Sequence, residues 1–135
     1  MTALLMLILA IDLASVKSEP NLEHRSELAL DFANQSIDVA RDAYSAGDAA
    51  KMQTALDEAA GAVDVMYQAL SATGKDPRNN KYFKRAELRT RELIRRLDGL
   101  SQSVSVDDRD PVTRLRDHVA EIHDNLLKRI LTKKK

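Results

Sequence analysis

The sequence predicts an all-α protein: a four-helix, up-down-up-down bundle preceded by a short apolar N-terminal segment. Three observations predict it. The 135 residues include only four Gly and three Pro, and Ala, Leu, Glu, Lys and Arg, which favour helix over sheet, dominate the rest. Apolar residues recur at the three-to-four spacing of a buried helix face in four long stretches. Strong stops separate those stretches: Gly47-Asp48, the turn-forming run from Gly74 to Asn80, and the polar connection at 101–110.

The N-terminal segment begins with an unbroken apolar run at 3–11, ended by Asp12. The run has the length of a signal-peptide core and about half the ~20 residues that span a bilayer. Small residues follow, and Ser18-Glu19-Pro20 opens a polar stretch. Residues 1–18 therefore read as a signal peptide, with a mature chain starting between Ser15 and Glu19 and exported to the periplasm or beyond. No Lys or Arg precedes the run. The alternative is a short apolar helix packed on the bundle of a cytoplasmic protein. Residues 19–135 are the size of one domain.

The first long segment, 20–46, starts with Pro20, because a proline's missing N–H costs nothing in a first turn. Gly47 ends it, since glycine tolerates the left-handed cap conformation. Asp48 then caps the second segment, 49–72, whose stripe is Met52, Leu56, Ala59, Val63, Met66 and Leu70. The third segment starts at Pro77 or Asn80 and runs to Leu100, burying Phe83, Ala86, Thr90, Leu93, Leu97 and Leu100, with Ile94 beside that stripe. Asp110-Pro111 opens the fourth, which buries Val112, Leu115, Val119, Ile122, Leu126 and Ile130 and ends near Leu131. Short turns between helices of similar length predict antiparallel neighbours.

The first segment is broader than the others. Leu30, Ala33, Ile37, Ala40 and Tyr44 form one stripe, and Leu28, Phe32, Val39 and Ala43 form a second beside it. At the helical pitch the two cover roughly 200°, whereas a surface helix needs little more than about 100°. The surplus must face an N-terminal helix or another chain. If the leader is removed, Leu28, Phe32, Val39 and Ala43 become a candidate self-association face, flanked by Glu27, Asp31 and Asp38.

The net charge of zero hides a division. Residues 1–74 carry four basic and eleven acidic side chains, a charge of −7, and residues 75–135 carry seventeen and ten, a charge of +7. The cations concentrate on the third segment, where Arg78, Lys81, Lys84, Arg85, Arg91, Arg95 and Arg96 lie opposite the core stripe. They form a candidate face for an anionic partner. Glu87 and Glu92 interrupt it at the spacing that pairs them with Arg91 and Arg96, and Leu88 falls among the charges. Few aromatics are available to stack on bases, which argues against nucleic acid.

Catalytic chemistry finds no foothold. The absence of Cys removes disulfides, thiol nucleophiles and Cys-bound metals. There is no nucleophile-elbow motif and no Gly-rich phosphate loop. Asp57 and Glu58 are adjacent, so they diverge on a helix. His118 and Glu121 have ligand spacing, but a di-metal bundle repeats Glu-x-x-His on two helices, and Glu121-Ile122-His123 is one residue short. His24 and His118 read as solvated, and His123 as core-facing. No catalytic residue, cofactor or metal ligand is expected.

Two resemblances accompany this reading. The stretch from Ala40 to Ala59, with its small residues, Tyr44 and Gly47-Asp48 turn, resembles one hairpin of a tetratricopeptide repeat, without a second copy at the expected ~34-residue period. Gly74 to Arg78, Tyr82 to Glu87, Arg89 to Leu93 and Glu121 to Asp124 resemble a group of small exported helical bacterial proteins of unassigned function. That resemblance implies export and a helical fold, and it transfers no site. The expectation is a non-enzymatic exported domain that self-associates or binds a protein partner, or else an anion-binding module, with no stable membrane span.

Overall fold

Helix formation follows the caps closely. The computed structural model describes residues 12–132. The apolar run at 3–11 and the last three lysines lie outside them. Among the described residues there are five α-helices and no strand. A short helix, α1 (Leu13–Lys17), is capped by Asp12, whose carboxylate accepts the Ser15 N–H at 2.8 Å. The first long helix, α2 (Leu22–Ser45), starts two residues after Pro20 because Asn21 is the cap, accepting the His24 N–H at 2.9 Å. Gly47, at φ +81°, turns the chain, and Asp48 caps α3 (Ala49–Ala72). Gly74, at φ +70°, closes α3.

Asn80 rather than Pro77 starts α4 (Lys81–Ser103), its side-chain oxygen accepting the Tyr82 and Phe83 N–H groups. This helix outruns the expected end at Leu100 by three residues. Val104 follows it and is buried, which pins the connection to the core. The connection makes one 3-10 turn, Val106–Asp108, before α5 (Asp110–Leu131). Asp110 stands inside α5 as its first residue and not ahead of it as a cap. Tyr44, at the end of α2, ties this corner down. Its hydroxyl accepts the Ser105 N–H at 2.8 Å and donates to Asp108 at 3.3 Å.

The four long helices share one core, dominated by Phe83, Met52, Leu56, Met66, Leu70, Leu97 and Leu126. Helix α2 packs on α3 and α4, and α5 packs on the same two, whereas α3 and α4 meet only sparsely. The connection at 73–80 therefore crosses a diagonal and does not join neighbours, unlike the other two turns. The α2–α3 seam is made of small residues. Ser26, Ala29, Ala33, Ser36, Ala40 and Ala43 alternate three and four apart along α2, and Ala55, Ala59, Ala62 and Ala69 lie buried on α3. Small side chains let the two backbones approach, so the packing is close rather than bulky.

This seam and α1 account for the breadth of α2. Phe32 (6% exposed) and Ala43 belong to the core, so they are not a free face. Leu28 is half-buried against the core, and only Val39, at 44%, faces outward. Helix α1 packs on α2 and α3, with Val16 1% exposed in the same cluster. Its Leu13 rests over Gly61 of α3, where an added Cβ would come within 3.1 Å of Leu13 Cδ2. The expected self-association stripe is thus largely internal, with α1 packed beside it; the apolar run at 3–11, on which the expected N-terminal helix rests, lies outside the described residues. The expected cleavage window at 15–19 falls on this helix and the turn after it.

Candidate interaction surfaces

The charged faces are built by helix direction. Helices α2 and α4 lie side by side and run the same way, so acids spaced by four along α2 meet cations spaced by four along α4. Lys75 and Asn80 both bind the Glu23 carboxylate, at 2.8 and 2.9 Å. Glu27 meets Arg85 at 3.4 Å and Asp31 meets Arg89 at 2.6 Å. Further along, Arg96 donates to the Asn34 carbonyl at 3.1 Å and bonds the Asn34 and Asp38 side chains. The acids expected to flank a dimer are therefore matched inside one chain. Exposed pairs of this kind contribute about 0–1 kcal/mol each, so the ladder sets the match between halves more than it stabilises them. Hydrogen bonds, from Lys75 first and then Asn80, hold the Glu23 carboxyl below its ordinary range.

This ladder divides the seven cations of the expected anionic-partner face. Arg85 and Arg96 are spent on α2. Arg78 forks onto Asp76, with its guanidinium 2.7 Å from Oδ2. Arg91 binds Glu87 at 2.7 Å, as the spacing predicted, but Arg96 turns to α2 and leaves the expected Glu92 pair unmade. Lys81 lies over the Tyr82 ring at 5.2 Å. Lys81, Lys84 and Arg95 have no ion-pair or hydrogen-bond partner among the described residues. With Leu88, which is 56% exposed, they occupy one outward line on α4 at spacings of three, four and seven.

The histidines are more engaged than their spacing suggested. His118 Nε2 lies 2.7 Å from Asp64 on α3, so it is half-buried and paired, not solvated. A recess of about 230 Å³ beside it is lined by Asp57, Ala60, Arg114 and Leu115. Glu121 is exposed on another face of α5. His123 is nearly buried, as its phase predicted, and its Nε2 lies 2.9 Å from Glu87 on α4. Among the described residues no group of three or more His, Asp or Glu is placed to hold a metal. Sequence reasoning passed over Arg89, Arg129 and the His118–Asp64 contact. The matching four-residue spacing of Glu23, Glu27 and Asp31 with Arg85 and Arg89 was the one available signal for the ladder.

Burial pushes the Glu87 carboxyl up, but hydrogen bonds from His123 and Arg91 outweigh it and leave it below the ordinary range of a glutamate. A carboxyl lowered on folding contributes stability that is present above its unfolded pKa and lost as pH falls through the folded one. Glu87→Gln is expected to cost about 1–2 kcal/mol at neutral pH. It should also flatten the loss of stability below about pH 4.5. Urea titrations of both proteins across that range measure it, and parallel pH curves would remove Glu87 as a source of acid sensitivity.

No family model, curated protein or solved structure matches the chain. Among the described residues no helix is long and apolar enough to cross a membrane.

Proposed function

We propose that this chain is a non-enzymatic helical interaction domain whose outward α4 face docks an acidic protein segment. The observation that carries the reading is Leu88, exposed in line with Lys81, Lys84 and Arg95 while the cations on both flanks are already paired. A leucine among unneutralised cations suits an acidic amphipathic helix, which supplies an apolar anchor and flanking carboxylates. The alternating up-down-up-down direction of the helices belongs to the same proposal, as does export, supported by the apolar run at 3–11. The burial of Val16 supports a working protein that keeps α1, with any cut ahead of Asp12.

The test is retention of the purified protein on an immobilised acidic peptide carrying leucines at helical spacing. Lys84→Glu with Arg95→Glu should weaken retention about tenfold or more, since each reversed charge meets a like charge. Leu88→Glu should do the same with circular dichroism unchanged. Retention that survives both changes would overturn the reading. A second reading, self-association, is supported by Val39 alone among the four expected residues. It would show as a concentration-dependent mass that Val39→Glu abolishes and Leu88→Glu does not.

A further inference from the structure

At the end of the molecule where α3 and α5 finish and α4 begins, a recess of about 420 Å³ opens between the 74–78 turn and the last turn of α5. Three cations line it: Lys75, Arg78 and Arg129. Two are neutralised locally, Lys75 by Glu23 and Arg78 by Asp76. Arg129 differs. It has no carboxylate partner among the described residues. Its guanidinium is held 5.0 Å from the Phe83 ring centroid and 5.8 Å from that of Tyr67. One of its nitrogens, Nη1, donates to Ser71 Oγ at 2.7 Å.

A guanidinium has five N–H donors in a rigid fork, and the Ser71 bond uses one. The two rings and the serine fix the group without discharging it. Immobilising a long side chain ahead of binding removes much of the entropy that a ligand would otherwise have to overcome. Among the described residues that line the recess three are cations and one, Asp76, is a carboxylate, and exposed Lys128 adjoins Arg129 in sequence. Because Lys75 and Arg78 are engaged through only some of their donors, they can extend second bonds to an anion seated on Arg129.

We propose that this recess binds a phosphate monoester group, seated on Arg129 with Lys75 and Arg78 as flanking donors. A planar fork matches two phosphate oxygens at once. The volume leaves room for the organic part of a small phosphomonoester. The site is separate from the outward face of α4 and does not depend on it.

Titration of the full chain with glycerol phosphate, followed by calorimetry at constant ionic strength, tests the proposal. Saturable binding is expected, with no response to chloride at the same ionic strength. Arg129→Gln should weaken it about tenfold or more, and Arg129→Lys, which keeps the charge and loses the fork, should fall between. Because Arg129 also packs on Phe83, both variants are checked by thermal unfolding. Should either unfold early, Lys75→Gln, on an exposed side chain, gives the same reading with a smaller loss. Vesicles containing phosphatidic acid form the second arm. Arg129-dependent binding to vesicles without a response to glycerol phosphate would assign the same chemistry to a lipid headgroup. Binding that is absent in both arms, or that Arg129→Gln and Lys75→Gln leave unchanged, would overturn the site.

Discussion

Phe32→Glu is expected to unfold the chain or to cost about 4 kcal/mol or more, because it places an unpaired carboxylate at a buried position. Val39→Glu, on the exposed side of the same helix, should change stability by less than about 1 kcal/mol. The difference separates two explanations of one apolar stripe. If the stripe were a dimer face, both substitutions would give folded monomers. The structure puts Phe32 6% exposed in a cluster with Val16 and leaves Val39 outside it. Chemical denaturation followed by circular dichroism, together with light scattering, decides the matter. A folded monomeric Phe32→Glu protein derived from a dimeric wild type would reinstate the stripe as an interface.

Leu97→Ala should cost about 2–5 kcal/mol, the range for a leucine removed from a packed interior. Leu97 has no exposed surface and sits mid-helix on the core side of α4. Leu88→Ala, nine residues earlier on the outward line of the same helix, should cost less than about 0.5 kcal/mol. The pair measures the rotational phase of α4 directly. Comparable losses at the two positions would mean that α4 is turned about its axis relative to the packing described.

The phase of each helix was legible because it is a local property. Every residue of the expected stripes of α4 and α5 except Ile130 is buried, and Ile130 packs against the core. The caps at Asp48 and the glycines at 47 and 74 were readable for the same reason: their chemistry acts within a few residues. What lay hidden was the identity of the neighbours. Nothing local says that α2 lies beside α4 with matched charges some fifty-eight residues apart. Without that, Arg85 looks like a free surface cation and Arg96 like the partner of Glu92. The small-residue seam was missed because alanine scores as a weak apolar residue, although the alternation of Ser26, Ala29, Ala33, Ser36, Ala40 and Ala43 marks a close contact. The sequence signal for α1 was equally ambiguous, since an apolar stretch followed by small residues suits a cleavage region and a packing helix alike.

The division of charge between the halves bears on how the chain reaches its native state. Each hairpin closes through contacts near in sequence, which form early because they require little loop closure. Before the hairpins meet, residues 1–74 carry −7 and residues 75–135 carry +7. Two oppositely charged bodies tethered by a short connection attract one another over distances longer than any contact in the finished ladder. Added salt shortens that reach, to about 8 Å at physiological ionic strength, while apolar burial in the completed core is unaffected by screening. Ionic strength therefore acts mainly on the encounter of the halves, and the same charges that sum to zero in the folded protein serve as a guidance field during its assembly.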